Sequence, residues 1–495
     1  MPDREPRPVQ PRQPPDELAR AGLRELALLL HGRALSSAEL TAATLARIGR
    51  EDPHLNAFTA IHEEVAMRAA AVADRRLARE RADAPALCGI PVALKDVIAA
   101  SGLPLTGSSR VLSGNVARRD SAVWAQLAGQ GAVLVGHTQT HELAVGSITP
   151  QTANPWNPRV AAGGSSGGGA VALAARLVSA ALGTDTGGSV RNPAAMNGVS
   201  ALRPSFARIS RRGVLPLARA LDQVGPMARS IEDVATLFAA VAADGWALAA
   251  DPLRACSDAA VRDRPLDALG AGPGPRASGR PLAGIRIGLP TDTWLGAVAP
   301  GIGVVWTRFT GELAALGARL VSVTPPSQRG TGPRPIGELL VLAELLEHHR
   351  RWWPSRAQDY LPSTRALLES AAGLRIGSQQ TRRTRREARM LRAAYRVLFD
   401  RHRLDALALP TLSCEPPPRP SPQAAEMPAV GASLRSPLSV AGTPVAAVPA
   451  GRSPATGLPV GMQIATRPLT DSLALRIAAV YQRAHPYHAL EPATW

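Results

Sequence analysis

Two serines in glycine-rich segments are the side chains of this sequence best suited to covalent chemistry. Residues 163–168 read Gly-Gly-Ser-Ser-Gly-Gly, and residues 183–189 read Gly-Thr-Asp-Thr-Gly-Gly-Ser. Because glycine has no Cβ, a Gly-Gly pair lets the main chain turn sharply and directs several N–H groups towards one point, as an oxyanion site requires. Ser189, which follows such a pair, is therefore the candidate nucleophile.

A serine nucleophile needs a base, and no histidine lies close to Ser189 in the sequence. Residues 89–96 read Gly-Ile-Pro-Val-Ala-Leu-Lys-Asp, an apolar run of the strand type that ends on Lys95. Burial disfavours the ammonium form and lowers a lysine pKa by several units from about 10.4, which gives a neutral amine near neutral pH. Lys95 is therefore the candidate base, and Ser165 could relay the proton between Ser189 and Lys95.

Taken together, these three segments resemble the amidase signature family of serine hydrolases. They follow the order of the family, and Ser165 lies 24 residues before Ser189. The similarity runs from about residue 20 to the C-terminus, and its densest part is 89–226. The other matching segments are Thr106-Gly107-Ser108, Asn154-Pro155-Trp156-Asn157, Asp185 to Arg191 and Leu221-Asp222-Gln223-Val224-Gly225-Pro226.

The resemblance implies a role for each matching residue. Ser189 would attack an amide carbonyl, and Lys95 would be the ultimate base. Ser165 would be the bridging serine, preceded by a cis peptide bond. The implied oxyanion hole consists of the backbone N–H groups of Thr186, Gly187, Gly188 and Ser189. The implied supporting residues are Asp185 and Arg191, which would brace this loop, and Ser166, which would support the lysine.

Two positions depart from the usual pattern of the family. Ser439 stands where many members have asparagine, and residues 201–205 read Ala-Leu-Arg-Pro-Ser instead of Gly-Leu-Lys-Pro-Thr. Both lie outside the implied proton relay. We therefore expect them to affect substrate preference more than catalysis.

The resemblance implies an α/β fold, with a mixed central β-sheet covered by helices on both faces. The sequence itself predicts helices after Ser36, which opens a capping box with Glu39, and after Ser230. The predicted strands include Val92 to Leu94, Ala132 to Val135, the approach to Gly183 and Leu282 to Pro290. The late segments Pro437 to Pro444 and Gly457 to Gln463 match strands that close the core of the family fold.

The sequence predicts one catalytic domain, because the motifs are spread from the first hundred residues to the last fifty. Residues 1–18 are rich in proline and are expected to form a disordered tail. Residues 19–495 would form the single amidase domain. Irregular insertions are predicted near 251–282 and 324–336.

The charge of the chain raises the question of a nucleic-acid partner. Lys+Arg number 56 against 39 Asp+Glu, a formal net charge of +17. The excess is nearly all arginine and accompanies abundant alanine and proline, which fits a genome-wide bias as well as a binding face. The densest cluster, Arg375 to Arg392, is expected to be a solvated helix, so nucleic acid is not the favoured partner.

Other features argue against a metal, a cofactor or a membrane. Cys88, Cys256 and Cys414 are scattered and odd in number, which fits a reducing compartment. His141 and Glu142 are adjacent and lack the HExxH spacing, so both are interpreted as structural. No run of about 18 apolar residues predicts a membrane span, and the N-terminus lacks the apolar core of a secretory signal. A cytoplasmic protein without a cofactor is expected.

The leading functional hypothesis is an amidase that hydrolyses a carboxamide through an acyl-enzyme on Ser189, releasing a carboxylate and ammonia or an amine. Its partner would be a small-molecule amide, and family resemblance adds a homodimer as one arrangement. The alternative is the A subunit of a glutamyl-tRNA(Gln)/aspartyl-tRNA(Asn) amidotransferase, supplying ammonia from glutamine. The two insertions and the Arg/Pro-rich periphery favour a single-chain enzyme. A hydrolase that has become a binding protein is a third reading, against which the presence of Lys95, Ser165 and Ser189 argues.

Overall fold

A mixed β-sheet forms the centre of the molecule in the computed structural model, which describes residues 15–242, 280–327, 334–372, 374, 376–428 and 430–493. Its eleven strands follow the order β1-β3-β2-β4-β6-β5-β10-β11-β9-β7-β8 across the sheet. In chain order they are β1 (Phe58–Ile61), β2 (Pro91–Lys95), β3 (Val133–Thr138), β4 (Ala180–Asp185), β5 (Ser200–Arg203), β6 (Gln223–Ala228), β7 (Arg286–Pro290), β8 (Arg319–Val323), β9 (Ala406–Pro410), β10 (Val445–Arg452) and β11 (Pro459–Thr466).

The strand directions explain why the sheet is mixed. Strand β2 runs parallel to both of its neighbours, β3 and β4, and β7 runs parallel to β8 and β9. The remaining pairs are antiparallel. Because β2 and β4 are adjacent and parallel, their carboxyl ends lie at the same edge of the sheet, which brings the segments after Leu94 and Leu182 together.

Helices cover the sheet and are numbered in chain order over the described residues. They are α1 (Pro15–Arg20), α2 (Leu23–His31), α3 (Ser37–Leu55), α4 (Glu63–Glu80), α5 (Ala122–Gly129), α6 (Gly167–Ala174), α7 (Arg191–Asn197), α8 (Ile231–Val241), α9 (Asp292–Leu295), α10 (Pro300–Ala315), α11 (Ile336–His349), α12 (Pro362–Ser370), α13 (Gln379–Arg401), α14 (Ser436–Ala441) and α15 (Asp471–Ala484).

Successive side chains of the central strands enter different apolar clusters, which shows that both faces of the sheet are covered. In β2, Val92 and Leu94 pack in one cluster, which also contains residues of α8 and α15. Ala93 lies between them in the sequence and packs in another cluster, with residues of α6. Side chains of a strand point alternately to its two faces, so the predicted α/β fold with helices on both faces is confirmed.

The predicted helix starts are confirmed at both sites. Ser36 caps α3, its hydroxyl accepting from the Glu39 N–H at 3.1 Å while the Glu39 carboxylate accepts from the Ser36 N–H at 2.8 Å. Ser230 caps α8 in the same way, accepting from the Asp233 N–H at 3.0 Å. These caps satisfy N–H groups that have no partner inside a helix.

One predicted strand is wrong. The segment Pro437 to Pro444 contains most of α14, and the neighbouring strand, β10, begins only at Val445. Pro437 lies in the first turn of this short helix, where its missing N–H costs nothing. A buried helix of six residues has the same short apolar pattern as a strand, so the pattern alone does not distinguish them.

The domain boundaries are described only in part. The predicted tail over 1–18 is too long, because helix α1 begins at Pro15 and the Leu18 side chain is buried. Almost all of the predicted 251–282 insertion and the middle of the 324–336 insertion lie outside the described residues. None of the described helices has the length and apolar character needed to cross a bilayer.

Candidate active site

Lys95 lies at the carboxyl end of β2, and its side chain is fully buried. Its Nζ donates to the Ser165 Oγ at 2.7 Å and to the Thr184 Oγ1 at 2.8 Å. Burial lowers the pKa of Lys95 to about 7, although the carboxylates of Asp222 and Asp185 oppose that shift. Near neutral pH a large fraction of the amine is therefore uncharged and able to accept a proton.

Ser165 is also fully buried, and its position is fixed by its backbone. The Gly164–Ser165 peptide bond is cis, as the family resemblance implied. The Ser165 carbonyl accepts from the His141 N–H at 3.0 Å and from the Thr149 hydroxyl at 3.1 Å. The structure thus places Ser165 directly against the candidate base.

Ser189 lies in the turn between β4 and α7, and it is partly exposed. Its carbonyl accepts from the Ser166 N–H at 3.1 Å, which joins the two serine segments next to Ser165. Gly188, the preceding residue, has a φ of 126°, and a Cβ there would lie 2.5 Å from the Arg435 Nε. Only glycine fits this turn, which carries Ser189 from the buried relay towards solvent.

The loop before Ser189 offers backbone donors of two kinds. The Gly188 N–H donates to the Asp185 Oδ1 at 2.9 Å, so this predicted oxyanion donor instead holds the loop in shape. The N–H groups of Thr186, Gly187 and Ser189 have no hydrogen-bond partner in the described part of the chain. These three groups are therefore available for an oxyanion.

Asp185 anchors the loop through two buried arginines. Its Oδ2 accepts from the Arg191 Nε at 3.0 Å, and its Oδ1 accepts from the Arg203 Nη1 at 2.8 Å. All three side chains are fully buried. Burial alone would raise the pKa of Asp185, but the two guanidinium groups reverse that effect and hold the pKa well below its ordinary range.

The two departures from the family pattern belong to this brace. Arg203 replaces the usual lysine and is the second ion-pair partner of Asp185. The Ser439 hydroxyl accepts from the Arg191 Nη2 at 2.7 Å. Both residues thus support the loop through their direct contacts. Their expected effect on substrate preference stays a prediction.

Asp185→Asn is expected to destabilise the fold strongly, because it leaves Arg191 and Arg203 buried without a carboxylate. Removing one partner of a buried ion pair typically lowers the free energy of unfolding by about 3–5 kcal/mol. Urea-induced unfolding measures this change. The matched control is Asp400→Asn, which removes an exposed pair with Arg467 and should lower that free energy by about 1 kcal/mol or less. Equal effects of the two substitutions would contradict the anchoring role of Asp185.

Thr184 and Asp222 contribute to the site but had no assigned role in the sequence analysis. Thr184 is the second hydrogen-bond partner of Lys95. Ser166 supports this arrangement indirectly, since its Oγ donates to the Thr184 carbonyl at 3.2 Å and accepts from the Thr184 N–H at 3.3 Å. Asp222 accepts from the Thr186 hydroxyl at 2.6 Å, and burial raises the pKa of Asp222.

The number of lysines in the sequence gives further support to Lys95 as the candidate base. Lys95 is the only lysine in the sequence, since every other member of the 56 basic residues is an arginine. An arginine stays protonated in proteins, whereas a buried lysine can lose its proton. The one lysine of the sequence therefore stands at the position of the candidate base.

His141 and Glu142 hold neighbouring segments together. The His141 Nδ1 lies 2.5 Å from the Ile148 carbonyl oxygen. Glu142 accepts from the Ser109 hydroxyl at 2.6 Å and from the Leu361 N–H at 2.7 Å. Among the residues described, no group of three or more histidine, cysteine or acidic side chains is arranged to hold a metal ion.

Comparison with known proteins identifies the family. A sequence model described as Amidase matches residues 39–475. The chain belongs to the amidase family. It is an enzyme of the class that acts on carbon–nitrogen bonds, and the amidase fold predicted from its motifs is confirmed.

Relatives and solved structures match over nearly the whole chain. The A subunit of the glutamyl-tRNA(Gln) amidotransferase of Chloroflexus aurantiacus is 34% identical over 494 residues, covering 92% of this chain and 95% of the relative. The corresponding protein of Anaeromyxobacter dehalogenans is 35% identical over 500 residues, with coverages of 95% and 97%. The native peptide amidase from Stenotrophomonas maltophilia is 28% identical with a TM-score of 0.78, covering 96% of this chain and 98% of that one.

A further structural neighbour is a chain from a structure described as an unexpected vestigial protein complex that reveals the evolutionary origins of an s-triazine catabolic enzyme. It is 29% identical with a TM-score of 0.82, and the match covers 94% of this chain and 99% of that chain. This neighbour has the same fold and comes from a protein complex. The structures similar to this chain are therefore not limited to peptide amidases.

These names overturn one expectation. We expected a small-molecule amide as the partner, with nucleic acid disfavoured and a homodimer as one arrangement. That expectation is wrong, because relatives at 34–35% identity are named as components of a multi-chain enzyme that acts on tRNA. The preference for a single-chain enzyme, based on the insertions and the Arg/Pro-rich periphery, loses its support with it.

Proposed function

We propose that this chain hydrolyses a carboxamide through an acyl-enzyme on Ser189. The Ser189 Oγ attacks the carbonyl carbon while its proton passes through the Ser165 hydroxyl to the neutral Lys95 amine. The tetrahedral oxyanion is held by the N–H groups of Thr186, Gly187 and Ser189. The observation that supports this relay best is the 2.7 Å hydrogen bond between the Lys95 Nζ and the Ser165 Oγ.

In the second half of the reaction, the proton held by Lys95 passes to the leaving group. Collapse of the tetrahedral intermediate breaks the C–N bond, and the leaving nitrogen takes the proton from Lys95 through Ser165. Ammonia departs and an ester remains on Ser189. Water then hydrolyses the ester, giving a carboxylate and the free enzyme.

We further propose that this chain works as the A subunit of an amidotransferase, supplying ammonia from glutamine for an aminoacyl-tRNA. Support comes from the similarity to such proteins over almost the full length of both chains. The formal charge of +17 is compatible with an assembly that handles tRNA. A cytoplasmic location, where charged tRNA is found, belongs to the same proposal.

The test is to purify the tagged chain from its native cells and to identify the chains that accompany it. We expect a partner chain in stoichiometric amount, together with glutamine-dependent conversion of glutamyl-tRNA(Gln) into glutaminyl-tRNA(Gln). Ammonia release from glutamine in the same preparation is the second readout. Purification without a partner chain, with no transfer to tRNA, would contradict the amidotransferase assignment and leave the amide hydrolysis to be tested separately.

A second candidate function is the hydrolysis of a peptide amide instead of glutamine. The match to the peptide amidase of Stenotrophomonas maltophilia covers 96% of this chain, so a peptide amide would fit the same reaction. Assaying ammonia release from glutamine and from a C-terminally amidated dipeptide separates the two. A preference for the dipeptide amide would favour this second candidate.

A further inference from the structure

A cavity of about 830 Å³ lies beside the candidate active site. One part of its wall comes from the site itself, through Thr184, Thr186 and Asp222. Thr184 is the hydrogen-bond partner of Lys95, and Thr186 belongs to the proposed oxyanion loop. The volume is within the range of about 300–1,000 Å³ that is typical of small-molecule sites.

Arginines dominate the charged residues of this cavity. They come from α13 and from the segment between β5 and β6, and they are Arg211, Arg212, Arg219, Arg385, Arg389 and Arg392. The three on α13 are spaced by four and three residues, so they lie on one face of the helix. The predicted basic helix corresponds to α13. It is exposed to solvent over much of its length, but one of its faces contributes to the wall of this cavity.

The acidic side chains of the cavity already have other partners. Asp222 accepts from the Thr186 hydroxyl and from the N–H groups of residues 217 and 218. Glu344 accepts from the Arg219 backbone N–H at 2.7 Å. Over the described ranges, no carboxylate forms an ion pair with the guanidinium groups of Arg212, Arg219, Arg385 or Arg389. The cavity therefore carries an excess of positive charge.

An aromatic ring orients two of the guanidinium groups. The Arg211 Cζ lies 5.0 Å from the centre of the Phe206 ring, and the Arg392 Cζ lies 6.0 Å from it. Both guanidinium groups also donate to backbone carbonyls, Arg211 to those of Arg219 and Asp222 and Arg392 to that of Val440. Stacking and these hydrogen bonds together hold the two side chains in place. The donors that face a ligand are therefore the exposed guanidinium groups of the other four arginines, which are Arg212, Arg219, Arg385 and Arg389.

We propose that this cavity binds an oxyanionic group, a carboxylate or a phosphate, carried by the amide substrate. Arginine presents paired N–H donors that match the oxygen pairs of both groups. The inference rests on the proposed hydrolysis at Ser189, because it adds a substrate class to that reaction. Amides that bear a negative charge are the preferred substrates, and glutamine, with its α-carboxylate, belongs to this class.

Binding is tested on the full chain carrying Ser189→Ala, together with any chain that co-purifies. Isothermal titration compares glutarate and inorganic phosphate with neutral glutaramide. Glutarate or phosphate is expected to bind, and Arg389→Gln is expected to weaken that binding roughly 10- to 100-fold, the usual effect of losing a hydrogen bond between charged groups. The matched control is Arg386→Gln, an exposed arginine of the same helix outside the cavity wall, which should leave binding unchanged.

The second experiment measures the kinetics of the wild-type enzyme. Its kcat/KM for glutaramate, the monoamide of glutarate, is expected to exceed that for glutaramide, and Arg389→Gln should reduce only the former. Arg212→Gln, on the other wall, repeats the test if the first variant does not fold. The anion that binds more tightly identifies the oxyanion as a carboxylate or a phosphate.

The outcomes separate this inference from the proposed function. Anion binding that depends on Arg389, without hydrolysis of any amide, would leave the inference standing and contradict the function. Hydrolysis of charged and neutral amides alike, without Arg389-dependent anion binding, would overturn the inference and leave the function standing. An oligoribonucleotide that requires Arg389, where neither small anion binds, would also overturn it and point to a nucleic-acid surface.

Discussion

Ser189→Ala is expected to lower kcat by roughly 10⁴- to 10⁶-fold, the range typical for removal of a serine nucleophile. Ser189 supplies the only bond to the acyl group in the proposed reaction, so no neighbouring hydroxyl should replace it. Ser165 is buried and hydrogen-bonded to Lys95, whereas Ser189 lies in the turn that reaches solvent. Steady-state ammonia release from the preferred amide measures the loss.

The matched control for this substitution is Ser113→Ala. Ser113 is exposed and lies in a loop remote in sequence from both serine segments, so its loss should leave kcat within a factor of about two, as is usual for surface substitutions. Turnover by Ser189→Ala at a rate close to that of the Ser113→Ala control would show that another group forms the acyl-enzyme, or that none forms.

Lys95→Met is expected to lower kcat by roughly 10²- to 10⁴-fold, the usual contribution of a general base. Methionine has a similar length and suits a buried position, but it cannot accept the proton from Ser165. The wild-type kcat/KM should rise with pH through about 7 and then level off, because burial places the pKa of Lys95 there and only the neutral amine is active. Below that pH the ammonium form dominates and the rate falls.

The pH profile provides the internal control for Lys95. In Lys95→Met, the rise in residual kcat/KM near pH 7 should disappear, since the group that titrates has been removed. Lys95→Arg is the second variant, and it should be as inactive as Lys95→Met because a guanidinium stays protonated. A Lys95→Arg enzyme with wild-type turnover would contradict the role of a neutral amine.

The proposed catalytic residues were the most predictable part of the molecule. Lys95, Ser165 and Ser189 occur in short segments whose residue types restrict the chemistry, and their order matched a known family. The predicted convergence of Lys95 with Ser165 is present as a 2.7 Å contact. The strand β2 and the turn after β4 were also visible, because an apolar run ends on a lysine and glycines mark the turn.

Contacts that depend on strand register could not be predicted. Asp222 approaches Thr186 because it directly precedes β6, where Gln223 pairs with Asp185 of β4. Arg203, at the end of β5, donates to the carboxylate of Asp185. Sequence spacing contains no information on these alignments. Asp222 was therefore seen only as part of a motif, and Arg203 only as part of a departure from the family pattern.

The errors have similar physical causes. The helix α14 was taken for a strand from the family resemblance. Its short buried sequence has no polar face to reveal a helical period and so gave no sign against that prediction. The basic helix was correctly expected, but the cavity formed by its arginines with those of a distant loop required the tertiary fold. The partner could not be predicted from composition, because +17 suits either a genomic bias or tRNA.

One measurement addresses the uncharged amine on which the relay depends. Because Lys95 is the only lysine in the sequence, growth on lysine labelled with ¹³C at Cε gives a protein with a single labelled side chain, and NMR can follow that resonance with pH. We predict one titration with a midpoint at about 7, as burial next to Ser165 and Thr184 requires. A midpoint near 10.4, the ordinary value for an exposed lysine, would contradict the proposal that Lys95 is the base.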